Sequence, residues 1–488
     1  MTTIREHWRS LSNYSKMLLL LFVCTLPLVN PWVRGDGVGY YAYARALLIE
    51  HDLNFEKDWR SANPAFVMGR MDEQGHIRPE HYTSTGHLNN NFTVGPAILW
   101  APFLISVHVG VLSLDGLGAH IPADGYSRPY RLAMALATAI YGFVGLYLAF
   151  CLARKYFDER WAFLGTVGIW FGTSLPVYMY FNPSWSHAQS AFSIALFLWY
   201  WHRTQQRRTL GQWALLGLSG GLMLDVYYPN VVFLLIPLME SIVGYWRAWR
   251  SPGRDWVAIR ELFSANVLFA LLVVLAFTPT LVARQIISGN PLAFGYTALH
   301  QWAWTSPALG SVLFSSNHGL LSWTPIVLLA LLGLLPLRKL DQDLASYLAL
   351  ACLVFYYLIA SHLYWHGMSS FGNRFFISLT PVFVLGLTAS FASLARRFER
   401  AGPAFAAAGL ATALFILWNA GLMFQWGMHM IPVRGPISWR EMAYNQLAVV
   451  PGRLTDTLKT YLVRRKALME RIEQQDLKQL QSETPKGD

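Results

Sequence analysis

Long runs of apolar residues, separated by short polar connections, dominate the pattern along the chain. A helix needs about 20 mostly apolar residues to cross roughly 30 Å of hydrocarbon. The pattern therefore predicts an all-α polytopic membrane protein with about eleven transmembrane helices. The predicted runs lie at about 17–33, 130–152, 161–181, 188–202, 212–225, 230–246, 262–284, 319–337, 343–361, 375–395 and 402–426.

Basic residues fall on every second connection between these runs. The intervening connections, 182–187 and 362–373, contain no Lys or Arg. Because cytoplasmic loops carry an excess of Lys and Arg, this alternation places the amino terminus in the cytoplasm. The basic connections hold Arg154, Lys155, Arg160, Arg203, Arg207, Arg208, Arg247, Arg250, Arg254, Arg260, Arg338, Lys339, Arg396, Arg397 and Arg400.

The first run follows Arg5, Arg9 and Lys16 and lacks a small-residue cleavage site, so we expect a retained helix rather than a signal peptide. Residues 1–426 then form the transmembrane domain. A large first extracytoplasmic loop, 34–129, carries interfacial helices, and a second polar loop covers about 285–318.

Three stretches of the sequence need separate treatment in the predicted membrane topology. The apolar segment 94–114 would upset the loop alternation if it crossed the membrane, so we expect it to lie in the interface or to be re-entrant. Pro229 lacks a backbone donor and predicts a break in the middle of an apolar region. The polar tail, 427–488, lies outside by parity although it carries basic residues.

Composition narrows the class of protein further. Hydrophobic residues make up 54% of the 488 positions and charged residues only 13%, about half the charged fraction of soluble domains. This composition argues against a water-soluble enzyme of ordinary composition, and it excludes a disordered chain. The net charge of +11 is explained by membrane orientation rather than by nucleic-acid binding. The three cysteines lie within apolar runs and indicate neither a disulfide nor a metal site.

The first outer loop opens with a candidate catalytic acid. Asp36 follows the first apolar run closely and lies between two glycines, where it would face both a lipid headgroup and water. The alternative is that Asp36 caps the following helix, which we expect to lie along the membrane surface. Asp52 and Asp58 are candidates for a second acid, or for a solvated loop surface.

Arg374 is the lone basic residue of an otherwise uncharged outer connection. Cations near hydrocarbon are costly and are usually paired or functional, and a guanidinium matches phosphate oxygens in a bidentate way. Arg374 therefore either pairs with an acid such as Asp36 or binds an anionic substrate.

Histidines gather at the predicted outer ends of helices, at positions 187, 318, 362 and 366. No pair has a recognised metal-ligand spacing with acids, so we predict no metal site from them. Hydrogen bonds to phosphate or to sugar hydroxyls explain them better, and we expect His187, His318, His366 and the neighbouring Asn317 to bind substrate. No P-loop, dinucleotide fingerprint or GxSxG motif occurs, so ATP-driven work is not expected.

These residues resemble a known family. An outward Asp36 with Tyr40 four residues later is followed by His51-Asp52-Leu53 and by Gly95-Pro96-Ala97-Ile98-Leu99-Trp100. The order is similar to that of the GT-C superfamily of integral-membrane glycosyltransferases, especially bacterial relatives of protein mannosyltransferases and aminoarabinose transferases. Further similar stretches are 289–296, 319–325 and Phe371-Gly372-Asn373-Arg374-Phe375.

The resemblance implies a sugar donor linked to polyprenyl phosphate, with Asp36 as the catalytic acid at the periplasmic face of a bacterial inner membrane. Tyr40 and Tyr296 join the substrate-binding candidates. Related chains often carry a basic residue before the Pro of the broken helix, whereas this chain has Tyr228 there, so phosphate binding falls to Arg374 or another group.

Several alternatives stay open. The acceptor is a glycan, a lipid or a protein. The sequence specifies no cofactor, and metal dependence stays open because Asp36 with Asp52 or Asp58 could hold a divalent cation. A flippase or transporter of lipid-linked sugar would also need an outward polar cavity, and a polymerase or ligase would use a pyrophosphate-linked donor. We expect an inverting transfer to an acceptor hydroxyl with Asp36 as general base.

Overall fold

The computed structural model describes residues 11–205, 208–293, 295, 297–396, 398 and 401–483. Of the residues singled out above, Arg5, Arg9, Arg207, Tyr296, Arg397 and Arg400 lie outside this part of the chain. The longer helices are α1 Asn13–Thr25, α2 Asp36–Arg45, α3 Gly95–Asp115, α4 Arg128–Ala153, α5 Glu159–Gly172, α6 His187–Thr204, α7 Leu210–Val226, α8 Leu235–Arg250, α9 Trp256–Ser288, α10 Ile326–Leu332, α11 Gln342–Ser361, α12 Thr380–Ala395, α13 Ala401–Gly427, α14 Val450–Val463 and α15 Arg465–Glu483.

The helical membrane architecture is confirmed. Seven helices of the described residues are long and apolar enough to cross a bilayer, and three shorter apolar helices accompany them. The expected break at Pro229 is present, because α7 ends at Val226 and a short 3-10 helix, Tyr228–Leu234, follows. The protein is therefore an integral membrane protein, while the total of eleven spans stays a prediction.

The connections separate into two ends as the charge pattern predicts. At one end, the basic connections meet: Tyr156 donates a hydrogen bond to Asp341 over 2.7 Å, and Arg208 pairs with Glu240 at 3.0 Å. At the other end lie Asp36 and Arg374. The chain thus gathers its uncharged connections on one face, which we call the site face. Which side of the membrane this face occupies stays a prediction.

Small residues allow the helices to pack closely in lipid, where van der Waals contact drives association. Helix α12 is buried along its length from Thr380 to Ala389 and forms the centre of the bundle. Gly386 meets the helix that contains Ala330 so closely that a Cβ atom there would lie 2.0 Å from the Ala330 carbonyl oxygen. The centre of the bundle therefore requires glycine at this position.

Helix α2 differs from the expected surface helix. Every residue from Gly37 to Arg45 is buried. The segment around Asn90 covers one side, where the Asn90 amide donates to the Gly39 carbonyl over 2.8 Å, and the Tyr41 hydroxyl donates to the Gly125 carbonyl over 2.7 Å. Folding of the rest of the first loop over α2 is the physical reason for this correction.

Helix α3, the apolar segment expected in the interface, takes a definite place in the fold. It packs antiparallel to the first half of α4, through the bonds Trp100–Thr138 and His108–Tyr130. It is itself long and apolar enough to cross a bilayer, so its interfacial position stays a prediction.

The tail packs on the site face. Tyr461 of α14 donates to the Leu28 carbonyl over 2.7 Å, and Asp476 of α15 pairs with Arg34 at 2.6 Å. The carboxylate of Glu473 accepts hydrogen bonds from the Asn63 amide and from the backbone N–H of Ala65. The tail and the first loop thus lie together, whereas the side of the membrane on which they lie stays a prediction.

The close approach at Gly386 gives a test of the packing. We expect Gly386→Ala to lower the stability of the protein by about 1–3 kcal/mol, because overpacking forces helices apart. Thermal unfolding in detergent measures the change. Gly409→Ala is the matched control, since a Cβ atom there meets nothing within 4 Å. Equal melting temperatures for the two variants would contradict the packing described.

Candidate active site

Glycines flanking Asp36 place this acid at the site face. Gly35 has a φ of +54°, which favours glycine, and a Cβ atom on it would lie 2.9 Å from the Trp185 ring. A Cβ atom on Gly37 would lie 1.9 Å from the Ser184 hydroxyl oxygen. The start of α2 therefore lies directly against residues 184–185. Gly35 occupies the N-cap position and Asp36 is the first residue inside the helix, so the capping alternative is not supported.

The motif around Arg374 is shaped in a similar way. Gly372 also has a φ of +54°, and a Cβ atom on it would lie 2.5 Å from the Ser174 hydroxyl oxygen. The Phe371 N–H donates to the Tyr178 hydroxyl oxygen over 3.1 Å, and the Asn373 amide donates to the Trp365 carbonyl over 3.1 Å. These bonds fix the backbone that presents Arg374 at the start of the 3-10 helix Arg374–Leu379.

Asp36 and Arg374 form an ion pair. Arg374 Nη1 lies 2.8 Å from Asp36 Oδ2, and the side chains are 8% and 23% exposed respectively. The guanidinium carbon lies 4.3 Å from the centre of the Trp185 ring, within the range of a cation–π contact. Pairing with Asp36, one of the two roles expected for Arg374, is therefore observed, and the acid keeps the greater access to solvent.

The pair opens onto a cleft that is also lined by Tyr40 and His187. Tyr40 lies one helical turn after Asp36 and accepts a hydrogen bond from the Ser186 hydroxyl over 2.9 Å. Burial raises the pKa of Tyr40, so its hydroxyl keeps its proton and can donate it. His187 Nδ1 is buried without a hydrogen-bond partner in the described part of the chain. Both side chains thus have hydrogen-bonding capacity at the cleft.

Three other predicted substrate-binding residues do not line the cleft. His318 is fully buried, and its Nδ1 donates to the His366 carbonyl over 2.8 Å. Burial lowers the pKa of His318 to about 4, so the ring is neutral and its Nε2 carries no proton to donate. His366 and Asn317 lie beside His318, and His362 takes the predicted place at the cleft instead. Tyr296 lies outside the described residues.

The two candidate second acids are also elsewhere. Asp58 is buried and accepts two hydrogen bonds from Arg45, at 2.6 and 2.8 Å. Asp52 is exposed and accepts from the Asn54 N–H over 3.0 Å. This corrects the expectation of a second acid beside Asp36. Within the described ranges, no group of three His, Cys, Asp or Glu residues is arranged to hold a metal ion.

Sequence reasoning missed Arg284, which is 1% exposed at the end of α9. Its two terminal nitrogens donate to the carbonyls of Asn90 and Phe92, over 2.5 and 2.6 Å. The segment 91–93 lines the cleft, so Arg284 holds one cleft wall in place. A basic residue at the outer end of an apolar run was the signal, the same one that identified Arg374.

Aromatic residues of the broken mid-chain helix were also missed. Tyr227 and Tyr228 line the cleft, and the Tyr227 ring lies 5.7 Å from the His187 ring. Gly295, with a φ of +72°, brings the second outer loop over Tyr228, because a Cβ atom there would lie 2.7 Å from the Tyr228 hydroxyl oxygen. Trp302 of the same loop contacts His362, with ring centres 4.6 Å apart. For Tyr227 and Tyr228, the only signal in the sequence was the helix break at Pro229.

The fold is similar to that of solved oligosaccharyltransferases. An oligosaccharyltransferase of Archaeoglobus fulgidus tethered to an acceptor peptide matches with a TM-score of 0.51 at 12% identity, over 86% of this chain and 56% of that one. AglB of the same organism, in complex with an inhibitory peptide and dolichol-phosphate, matches with a TM-score of 0.51 at 13% identity, over the same shares. The chain thus shares the fold of these solved oligosaccharyltransferases.

These similarities are limited to the fold. The chain spans about 56% of the length of the solved oligosaccharyltransferases. ArnT of Cupriavidus metallidurans in the apo state matches with a TM-score of 0.44 at 13% identity, over 84% of this chain and 72% of that one. No protein-family model and no curated protein sequence matches the chain.

Asp58 is buried in an ion pair and Asp52 is exposed, so substitutions of the two test whether the Asp58–Arg45 pair stabilises the first loop. We expect Asp58→Asn to destabilise the first loop by about 3–5 kcal/mol, because removing one partner leaves the Arg45 charge buried without its main counter-ion. Melting temperature and limited proteolysis of the loop measure this loss. Asp52→Asn is the matched control and should change neither. A fully stable Asp58→Asn variant would show that the pair is not structural.

Proposed function

We propose that the protein is a membrane glycosyltransferase that transfers a sugar from a polyprenyl-phosphate donor to an acceptor hydroxyl at the periplasmic face. The observation that carries the proposal is the ion pair of Asp36 and Arg374 at the mouth of one cleft. A carboxylate and a guanidinium side by side supply the two charges that such a reaction needs. The fold shared with oligosaccharyltransferases supports the same class of chemistry.

Asp36 acts as the general base. The acceptor oxygen attacks the anomeric carbon of the sugar, and its proton passes to the Asp36 carboxylate as the new C–O bond forms. General-base help of this kind contributes about 10²–10⁴-fold to the rate. A single displacement inverts the anomeric configuration.

Arg374 stabilises the leaving group. As the bond from the anomeric carbon to the phosphate oxygen breaks, its electron pair stays on the phosphate, which gains negative charge and needs no proton. A guanidinium has five N–H donors, so Arg374 can contact a phosphate while it still bonds Asp36. The stacked Trp185 ring keeps the guanidinium in place, and such fixed charge is most effective in a site shielded from water.

Tyr40 and His187 orient the substrates. The Tyr40 hydroxyl can donate to a sugar or phosphate oxygen, because its own oxygen already accepts from Ser186. A substrate can supply the hydrogen-bond partner for His187 Nδ1. Sugar hydroxyls and phosphate oxygens meet both requirements.

The ionisable residues within the apolar helices favour chemistry over transport. A transporter needs such residues along a path through the membrane. Glu240 instead bonds Arg208 and Trp201 near the basic end of the bundle. Asp225 accepts from the Thr280 N–H over 3.2 Å, where it supports the α9 backbone next to Pro279. Both carboxylates thus have structural bonds.

Replacement of Asp36 tests the assignment. We expect Asp36→Asn to lose about 10²–10⁴-fold in turnover, since an amide cannot accept the acceptor proton. The measurement is transfer of radiolabel from defined polyprenyl-phosphate sugars by the purified protein in detergent, with crude membrane lipids and proteins as acceptors and with or without a chelator. Asp52→Asn serves as the control and should keep full activity.

Three outcomes would count against the proposal. Full activity of Asp36→Asn would reject the base. Loss of activity with chelator would add a divalent cation to the mechanism in place of a base acting alone. Absence of transfer from every donor, together with uptake of lipid-linked sugar in proteoliposomes, would establish the flippase alternative.

A further inference from the structure

The tail turns back along α13 after that helix ends at Gly427. The Gln446 amide donates to the Trp418 carbonyl over 3.1 Å and accepts from the buried Gln425 amide over 2.7 Å. Trp418 precedes Gly427 by nine residues, which is about 14 Å along a helix that rises roughly 1.5 Å per residue. Gln446 therefore lies beside the apolar second half of α13, well before that helix ends.

Exposed apolar side chains accompany Gln446 at this depth. Leu447 is 80% exposed and Tyr444 is 66% exposed. The adjoining surface of α13 also exposes Leu414 and Leu417, on a helix that is long and apolar enough to cross a bilayer. Because hydrocarbon covers this surface of α13 in an integral membrane protein, it also covers Leu447.

Helix α14 extends this apolar surface towards the headgroups. Leu454, Leu458 and Leu462 are exposed and recur every four residues, so they form one stripe along the helix. Leu454 and Leu458 lie around one cavity with Phe424, which belongs to the last turn of α13. The leucine stripe therefore lies at the level where the membrane helix ends, which is the boundary between hydrocarbon and headgroups.

The charged side chains of α14 are arranged as in helices that lie in the membrane interface. Arg453 and Lys459 are exposed, and each is next in sequence to a leucine of the stripe. The exposed Asp456 lies almost opposite Leu458, about 160° away at roughly 100° per residue. Basic side chains beside an apolar stripe reach lipid phosphates while their carbon chains stay in the apolar layer. Within the described tail, no ion pair involves Arg453 or Lys459.

The net charge of this segment favours anionic lipids. Residues 438–466 contain six basic and two acidic side chains. The tail packs on the site face, where the connections between membrane helices are uncharged, so the rule that explains the other basic residues does not explain these. Attraction to anionic headgroups does explain them, since each Lys or Arg near such a surface strengthens binding.

We propose that residues 439–463, which we call the tail anchor, lie in the leaflet at the site face and bind anionic lipid headgroups through Arg453 and Lys459. Leu447 and the leucine stripe enter the hydrocarbon, while Asp456 faces water. The partner is the surface of the bilayer itself. This inference does not depend on the proposed sugar transfer.

Spin labels test the depth of the tail anchor in the purified full-length chain. Leu447→Cys, Leu458→Cys and Asp456→Cys are labelled one at a time, after the three native cysteines are replaced by alanine, in nanodiscs of phosphatidylcholine and phosphatidylglycerol. Collisions with oxygen report hydrocarbon, and collisions with a water-soluble nickel complex report water. We expect the oxygen-to-nickel ratio at 447 and 458 to exceed that at 456 about tenfold or more. Equal ratios at all three positions would overturn the proposal.

Photolabelling tests the class of lipid and needs no cysteine substitutions. A phosphatidylglycerol and a phosphatidylcholine carry the same diazirine near the glycerol end of one acyl chain, and labelled peptides of the wild-type chain in nanodiscs are mapped by mass spectrometry. We expect phosphatidylglycerol to label 447–463 about fivefold or more in excess, because each basic residue near anionic headgroups contributes about that factor. The exposed surface of α13 at 410–417 is the internal reference and should show no such excess.

Charge variants identify the groups that bind the lipid. Arg453→Gln combined with Lys459→Gln should abolish the excess and leave labelling by phosphatidylcholine unchanged. Arg471→Gln combined with Lys478→Gln is the matched control, because it removes the same two charges from exposed positions of α15, and it should keep the excess. Equal labelling of the wild-type tail anchor by both probes would overturn the proposal. An excess that survives in the first variant, or that disappears in the control as well, would also overturn it.

Discussion

The ion pair between Asp36 and Arg374 is the constraint on which the rest of the site depends. A guanidinium that is 8% exposed near hydrocarbon needs a counter-charge. The Asp36 carboxylate supplies it, although Asp36 is distant from Arg374 in the sequence. Gly35 and Gly372 permit the backbone turns that bring the two segments together. The face of the Trp185 ring then contacts the guanidinium, whose carbon lies 4.3 Å from the ring centre. The chemistry proposed for the cleft is a consequence of how the bundle neutralises one buried arginine.

Much of the fold follows from patterns that act locally. Apolar runs of sufficient length become helices because lipid leaves the backbone no other partners, and Pro229 interrupts its run because it lacks a donor. The alternation of basic and uncharged connections is enough by itself to predict that Asp36 and Arg374 share one face. Both residues are candidates for the site because charged residues at the outer ends of apolar runs are usually paired or functional.

The remainder depended on contacts between distant segments. Nothing in α2 itself shows that residues 90 and 125 fold over it and bury it. Asp58 is the buried partner of Arg45, and this pairing depends on the fold of the first loop. His318 is held away from the cleft by its hydrogen bond to the His366 carbonyl. Arg284 carried the same signal as Arg374, but it stands inside the predicted run and was counted as part of the helix. A search for charged residues at both ends of every apolar run, including the last residues inside each run, identifies Arg284.

The Arg34–Asp476 pair joins a residue beside Asp36 to α15, the last helix of the described part of the chain. During synthesis, the amino-terminal half of the protein is therefore in the bilayer long before its partner emerges. Until α15 is made, Arg34 lacks this carboxylate, and the contact between the tail and the segment before Asp36 cannot form. The order of translation thus delays completion of the site face until the last helix has been made.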